Sequence, residues 1–265
     1  MSGRFPAVKK KVRLLQSLVI NYSSQYYLLM ATTKNIPDFP RYRYFDILVN
    51  CFVVALLISN LVAPKLTKIG PLVFSGAQLL FPLTYIFGDI FTEVYGYAGS
   101  RRAIWTGFLA QGLLVTLGAV IVALPPAPGW NDQECFAKIF GILGFLPRLA
   151  VASLLAYWVG EFANSYTMAK VKLFTKGKHL WARTISSTAV GQAVDTILVI
   201  TIAFGGSVDS KTLIQLIIDG YFIKVIYEVL ATPLTYWIVN SLKKAEGVDL
   251  FDTNTNFNPF AKSSI

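Results

Sequence analysis

Residues 79–102 read L-L-F-P-L-T-Y-I-F-G-D-I-F-T-E-V-Y-G-Y-A-G-S-R-R, an apolar and aromatic stretch that contains two carboxylates and ends in paired arginines. Asp89 and Glu93 are four residues apart, and Tyr85 precedes Asp89 by the same spacing, so all three share one face of a helix. A carboxylate inside a lipid bilayer is costly and usually marks a functional site. We therefore expect the rest of the chain to supply polar partners for this stripe.

The composition is that of an integral membrane protein. Of the 265 residues, 54% are hydrophobic and only 14% are charged, whereas a soluble domain carries about 25% charged residues. The single histidine, His179, and the two cysteines, Cys51 and Cys135, stand in unrelated settings. They indicate neither a metal centre nor a disulfide framework, and no cofactor is predicted.

Six apolar runs follow one another along the chain, each close to the ~20 residues that cross a bilayer as a helix. They cover residues 44–62, 72–94, 103–124, 149–169, 184–204 and 213–239. The second run contains Gly76, Pro82 and Gly88, which predict a kink or break within it. The sequence thus predicts an all-α bundle of six transmembrane helices.

We predict that the six-helix bundle is a transmembrane domain formed by residues 44–244. A basic N-terminal extension, residues 1–43, precedes it, and a polar tail, residues 245–265, follows it and is expected to be disordered. When the loops are assigned alternately to two sides, eighteen of the 24 lysines and arginines fall on the side that holds both termini. The positive-inside rule makes that side cytoplasmic. Because topology accounts for most of the net charge of +10, the expected partner is the lipid bilayer and not nucleic acid.

Polar side chains recur within the apolar runs, and nine of them are candidates for a substrate-binding site. The alternating directions of the helices place four of the acids in one slab between the membrane midplane and the cytoplasm, which is where transporters generally bind substrate. The four acids are Asp89, Glu161, Asp195 and Glu228; the other five candidates are Tyr85, Glu93, Asn164, Gln192 and Lys224.

Several of these residues also have a plainer structural explanation. Lys224 and Glu228 are one helical turn apart and can neutralise each other. Glu93 can lie close to the interface and pair with the arginines that follow it. The amides can be ordinary interhelical hydrogen-bond partners, and for Gln111 this is the better explanation.

Four stretches of the chain, within residues 44–244, resemble the motifs of one family, in the same order and with similar spacing. The family is that of the queuosine-precursor transporters, also called vitamin uptake transporters. The stretches are F-G-D-I-F-T-E-V-Y-G-Y at 87–97, E-F-A-N-S-Y-T-M-A-K-V-K at 161–172, W-A-R-T-I-S-S-T-A-V-G-Q-A-V-D at 181–195 and K-V-I-Y-E-V-L-A-T-P at 224–233.

This resemblance implies a multi-pass importer of the bacterial inner membrane. Its substrates would be the queuosine precursors 7-cyano-7-deazaguanine (preQ0) and/or 7-aminomethyl-7-deazaguanine (preQ1), and its fold would be similar to the substrate-binding subunits of energy-coupling-factor transporters. A guanine-like edge offers two N–H donors that one carboxylate accepts, and a second carboxylate suits the ammonium group of preQ1. The four acids would supply these acceptors, and Tyr85, Asn164 and Gln192 would orient the ring.

Three functions remain open from the sequence. The first is a stand-alone transporter whose buried carboxylates also carry protons. The second is a binding subunit that needs a separate ATP-driven module, although the small-residue docking surface that this requires is weak in the third run. The third, an integral-membrane enzyme, is disfavoured because the chain lacks H-E-x-x-H, G-x-S-x-G and a phosphate loop. A homodimer is compatible with the sequence, but nothing in it demands one.

Overall fold

The computed structural model describes residues 42–62, 66–69, 72–75, 80–137 and 147–261. This part of the chain is built mainly of long helices, as predicted, with a small hairpin between the first two of them. The N-terminal extension lies outside the described residues as far as residue 41. The elements are α1 (Phe45–Val62), β1 (Leu66–Ile69), β2 (Leu72–Ser75), α2 (Phe81–Ala123), α3 (Pro147–Phe174), α4 (Leu180–Phe204) and α5 (Ser210–Glu246).

The hairpin corrects the predicted start of the second apolar run. Strands β1 and β2 pair antiparallel, from Leu66 opposite Ser75 to Ile69 opposite Leu72, so residues 72–75 are extended. Helix α2 begins only at Phe81, with Pro82 in its first turn. Proline suits that position because its missing N–H has no intrahelical partner there and its fixed φ favours a helix. The prediction of a helix from residue 72 was therefore wrong.

Helix α2 is interrupted at a single residue, Gly96, whose φ of 71° and ψ of 176° fall outside the helical region. Backbone of this kind is essentially restricted to glycine. The break lies between the second and third predicted runs and not within the second run, where Pro82 and Gly88 are helical. The prediction of a kink or break at these two residues was therefore wrong. Gly76 lies outside the described residues.

The chain folds back on itself at Gly96. Before the break, the ring of Phe91 lies 5.6 Å from the ring of Phe52 in α1. After it, a Cβ placed on Gly107 would lie only 3.0 Å from the same Phe52 ring. Sixteen residues of straight helix would separate positions 91 and 107 by ~24 Å. From Phe81 onward, the second and third predicted runs are thus the two halves of α2, and they are joined by one non-helical residue, Gly96.

The residues after α5 complete this reversal. The amide of Tyr97 begins the second half of α2 and donates to both carboxylate oxygens of Asp252, at 3.1 Å each. Amides at a helix start lack intrahelical acceptors, and a carboxylate there also complements the helix dipole. Asp252 therefore acts as an N-terminal cap supplied from 155 residues further along the chain.

Residues 247–261 continue along α2 and bind its side chains. Arg101 donates to the carbonyl oxygens of Asn256 and Asn258, at 2.9 and 3.1 Å. The indole of Trp105 donates to the carbonyl oxygen of Pro259 at 2.9 Å. The prediction of a disordered tail is wrong for these residues, because their backbone carbonyls satisfy donors on the bundle.

The outer surface of the helices is apolar. In α2, Leu109, Leu113 and Leu117 are 60%, 59% and 56% exposed, and their four-residue spacing makes one continuous stripe. An exposed apolar stripe that extends over several helical turns is suited to contact with lipid. By length and composition, three helical segments of the described residues can cross a membrane, namely Phe45–Val62, Leu83–Ala123 and Leu180–Phe204.

Substituting Gly96 with alanine is expected to lower the free energy of unfolding by ~1–3 kcal/mol, because alanine is strained in this conformation. The added Cβ would also lie 3.2 Å from Oδ1 of Asp252. Gly112→Ala is the matched control in the same helix, where a Cβ meets no atom within 4 Å. Unfolding in detergent measures the stability of both variants. Equal stability would contradict the conclusion that the backbone at Gly96 requires glycine.

Candidate functional site

The site forms where α3 and α4 cross at two glycines. A Cβ on Gly160 would lie 2.9 Å from Cβ of Asp195, and one on Gly191 would lie 2.7 Å from Cβ of Asn164. Small residues allow helix backbones this close an approach in membranes. Since Asn164 is one turn after Gly160 and Asp195 one turn after Gly191, the two glycines hold these two polar residues at the crossing.

A cavity of about 140 Å³ lies beside this crossing. Side chains from α1 to α5 line it, so that polar residues far apart in sequence share one space. The structure brings six of the nine candidates together there: Tyr85, Glu161, Asn164, Gln192, Asp195 and Lys224.

Two contacts organise the cavity wall. The hydroxyl of Tyr85 donates to Oε1 of Gln192 at 2.9 Å, and Nζ of Lys224 lies 2.6 Å from Oδ2 of Asp195. Lys224 therefore pairs across helices, and its predicted neutralisation of Glu228 within α5 is wrong. Glu161 is only 8% exposed and takes part in no ion pair within the described part of the chain. The cavity thus holds one paired acid and one unpaired acid.

Asp89 and Glu228 lie beside the cavity without lining it. They are 0% and 1% exposed. Glu161 and Asn164 are neighbours of the Asp89 carboxyl, which also faces Glu228. Both acids therefore belong to the polar region around the cavity, but neither is among the residues that line it.

Glu93 lies away from the cavity in a buried ion cluster. Its carboxylate accepts two hydrogen bonds from Arg183, at 2.7 Å from Nε and 2.6 Å from the terminal nitrogen. Lys172 lies 3.4 Å away, and Lys243 also donates to it. The predicted pairing of Glu93 with the arginines at 101 and 102 is wrong. Those arginines instead contact residues 256–258 and Asp46.

Asp249 completes this cluster from the segment after α5. Lys172 and Lys243 lie 2.8 and 2.7 Å from its carboxylate. Partial burial alone would raise the pKa of Asp249, but the two ammonium groups outweigh this and hold the pKa below its ordinary range. The cluster binds α2, α3, α4 and α5 to one another at the end of the bundle that carries most of the basic residues.

Six polar residues that line the cavity were absent from the nine sequence-based candidates, namely Ser59, Asn60, Thr84, Gln111, Ser153 and Tyr157. Ser153 could have been found, because it precedes Tyr157 and Glu161 at successive four-residue spacings and so shares their helix face. Thr84 is adjacent to Tyr85 and carries no such signal. Gln111 also lines the cavity, and its Oε1 has no hydrogen-bond partner within the described residues.

Comparison with known proteins adds the family. The chain matches the family described as "Putative vitamin uptake transporter" over residues 75–238, a range that contains all nine candidates. It is 28% identical over 183 residues to the "Probable queuosine precursor transporter" of Bacillus subtilis (strain 168), which covers 69% of this chain and 79% of that protein. It is 26% identical over 130 residues to the "Queuosine precursor transporter" of Escherichia coli (strain K12), covering 49% of this chain and 55% of that protein.

No solved structure matches the chain. The family match nevertheless spans more than half of the sequence, and its description is that of a transporter and not of an enzyme. The apolar helices with their lipid-facing stripe are those of a membrane protein. The chain belongs to the vitamin uptake transporter family.

Proposed function

We propose that this protein imports the queuosine precursors preQ0 and/or preQ1 across the bacterial inner membrane. The names of the two relatives support the substrate class. The observation that carries the proposal is the cavity itself, in which an unpaired buried carboxylate, Glu161, stands beside the Asp195–Lys224 ion pair. Acceptor and donor groups so placed suit a small heterocycle with a polar edge.

The chemistry of a deazaguanine matches these groups one by one. The N1–H and the exocyclic amine form a donor pair, for which Glu161 is the proposed bidentate acceptor. The neighbouring carbonyl oxygen accepts a hydrogen bond, and the ammonium of Lys224 is its proposed donor. The hydroxyl of Tyr85 is hydrogen-bonded to Oε1 of Gln192 at 2.9 Å, and these two side chains would orient the ring. For preQ1, Asp195 is the proposed partner of the aminomethyl ammonium.

The proposed topology has six spans with both termini in the cytoplasm. The reversal at Gly96 supports it, because α2 then contributes two antiparallel spans beside α1, α3, α4 and α5. The orientation follows from the positive-inside rule, and three of the basic residues on that side, Lys172, Arg183 and Lys243, meet at Glu93. The proposed transporting unit is one chain, with a homodimer as the alternative.

Equilibrium binding to the purified chain in detergent tests the substrate class. We expect saturable binding of preQ0 and preQ1. Hypoxanthine, which lacks the exocyclic amine, is the control and should bind much more weakly, because it leaves half of the proposed carboxylate acceptor unpaired. Absence of preQ0 and preQ1 binding to folded protein would overturn the proposal.

Reconstitution of the same chain alone into liposomes tests the transport step. Uptake of preQ0 without any other protein is the expected result. Binding without uptake would instead favour the role of a substrate-binding subunit in a multi-component transporter, which is the alternative that the sequence leaves open.

A further inference from the structure

Asp89 of α2 and Glu228 of α5 form a pair of carboxyl groups in the interior of the bundle, here called the carboxyl pair. As ionised groups, none of their four oxygens has a hydrogen-bond partner within the described part of the chain. Two carboxylates cannot bond to each other because neither has a donor. Once one of them carries a proton, it lies within reach to donate to the other. The amide of Asn164 also approaches Asp89, but a hydrogen bond between the two carboxyls requires a proton on one of them.

The surroundings make a second negative charge in the pair costly. Glu161 of α3 acts on both carboxyls and adds negative charge, whereas Asn164, also of α3, is a neutral amide. Lys224, the cation one turn before Glu228 on α5, is held by Asp195 of α4 at 2.6 Å. Tyr85 of α2 is neutral and faces the cavity. In α1 the only charged residue, Asp46, is exposed and pairs with Arg102.

Three further cations, from α3, α4 and α5, already have a carboxylate partner, Glu93, which lies one turn after Asp89 on α2. Arg183, Lys172 and Lys243 all converge on Glu93, so no described cation forms an ion pair with Asp89 or Glu228. Two adjacent carboxylates buried without a counter-ion do not both ionise, because burial and mutual repulsion each disfavour the second charge. One proton bound between them removes both costs.

We infer that the carboxyl pair is a proton-binding site and that its proton crosses the membrane together with the substrate. The inference rests on the proposed function and adds its energy source. The ligand of this site is a single proton, held by Asp89 and Glu228 as a hydrogen-bonded acid and carboxylate.

Glu161 connects the proton site to the substrate cavity. It lines the cavity and faces the carboxyl pair. With a proton on the pair, Glu161 experiences one negative charge less, which favours its ionised form, the form that accepts two N–H donors. When the pair loses its proton, the added repulsion favours a protonated Glu161, which accepts such a donor pair poorly. Protonation of the pair and substrate binding therefore promote each other, as symport requires.

Transport into liposomes tests this inference directly. With the membrane potential clamped at zero by potassium and valinomycin, a pH difference of one unit should drive preQ0 accumulation to about tenfold on the alkaline side, for one proton per substrate. The single variant Glu228→Gln keeps one carboxylate beside a neutral hydrogen-bond donor and so mimics the pair with its single proton. It should still exchange labelled for unlabelled preQ0 but should not accumulate it in response to the pH difference. Glu134→Gln, an exposed acid outside the site, should behave as the wild type.

A wild-type measurement keeps the test independent of variant folding. In weakly buffered detergent solution, preQ0 binding should take up protons, and affinity should fall as the pH rises. Asp89→Asn is the second variant if Glu228→Gln does not fold, and either variant should reduce that proton uptake.

The outcomes separate this inference from the function on which it rests. Failure of wild-type protein to bind or exchange preQ0 would overturn the proposed function. Normal preQ0 exchange without accumulation in response to the pH difference would overturn the proton site alone. Accumulation driven by a sodium gradient would do the same.

Discussion

Replacing Glu93 with glutamine is expected to lower the free energy of unfolding by ~3–5 kcal/mol, the usual cost of removing one partner from a buried ion pair. Glu93 is fully buried, and Arg183, Lys172 and Lys243 all converge on it. Glutamine keeps the shape of the side chain but removes the negative charge. Arg183 loses its bidentate carboxylate partner, while Lys172 and Lys243 retain Asp249 as their one carboxylate partner among the described residues. Denaturant-induced unfolding in detergent measures the change.

The matched control is the exposed ion pair between Asp46 and Arg102. Its atoms are 3.3 Å apart, and its side chains are 77% and 51% exposed. Asp46→Asn should therefore change stability by no more than ~1 kcal/mol. Removing a cation together with the acid, as in Glu93→Gln with Arg183→Met, should restore part of the loss. A Glu93→Gln protein that unfolds like the wild type but no longer binds preQ0 would contradict this assignment and return Glu93 to the substrate site.

Replacing Glu161 with glutamine is expected to weaken preQ0 binding without destabilising the protein, the opposite of the effect expected for Glu93→Gln. Affinity for preQ0 should fall by at least about 30-fold, or ~2 kcal/mol, because a buried charged acceptor of two hydrogen bonds is lost. The glutamine side chain offers only one acceptor oxygen. Its NH2 group would face one of the two N–H donors of the ligand and could not accept a hydrogen bond from it. The stability of the ligand-free protein should stay the same or rise, because the substitution removes a buried carboxylate that has no ion-pair partner among the described residues.

Isothermal titration with preQ0, combined with unfolding of the ligand-free protein, measures both effects. Glu134→Gln controls for the loss of one acid, since Glu134 is exposed and does not line the cavity. Unchanged preQ0 affinity in Glu161→Gln would refute the proposed contact. Together with Glu93→Gln, this variant separates the acid that holds the bundle together from the acid that faces the substrate.

Local patterns of sequence predicted the helical elements and the polar residues well. The four-residue spacing of Tyr85, Asp89 and Glu93 did place them on one helix face, which runs from the cavity through the carboxyl pair to the ion cluster. The same patterns failed at the start of α2. There, residues 72–75 are as apolar as the helix that follows and hydropathy cannot tell extended from helical backbone. The reversal in α2 was expected as a loop, but one glycine accomplishes it because Asp252 caps the amide that the break exposes.

The amino-acid sequence by itself determined the membrane class, the long helices, the uneven distribution of basic residues and the set of buried acids, because these depend on composition and on spacing within single helices. Tertiary structure alone decided what each acid does. Glu93 meets Arg183, ninety residues away, and Asp195 meets Lys224 from another helix, whereas Glu161 has no cation to pair with in the described chain. The charge that a buried carboxylate carries depends on its neighbours in space, and those neighbours come from helices whose packing is set by side-chain contacts that no local pattern records.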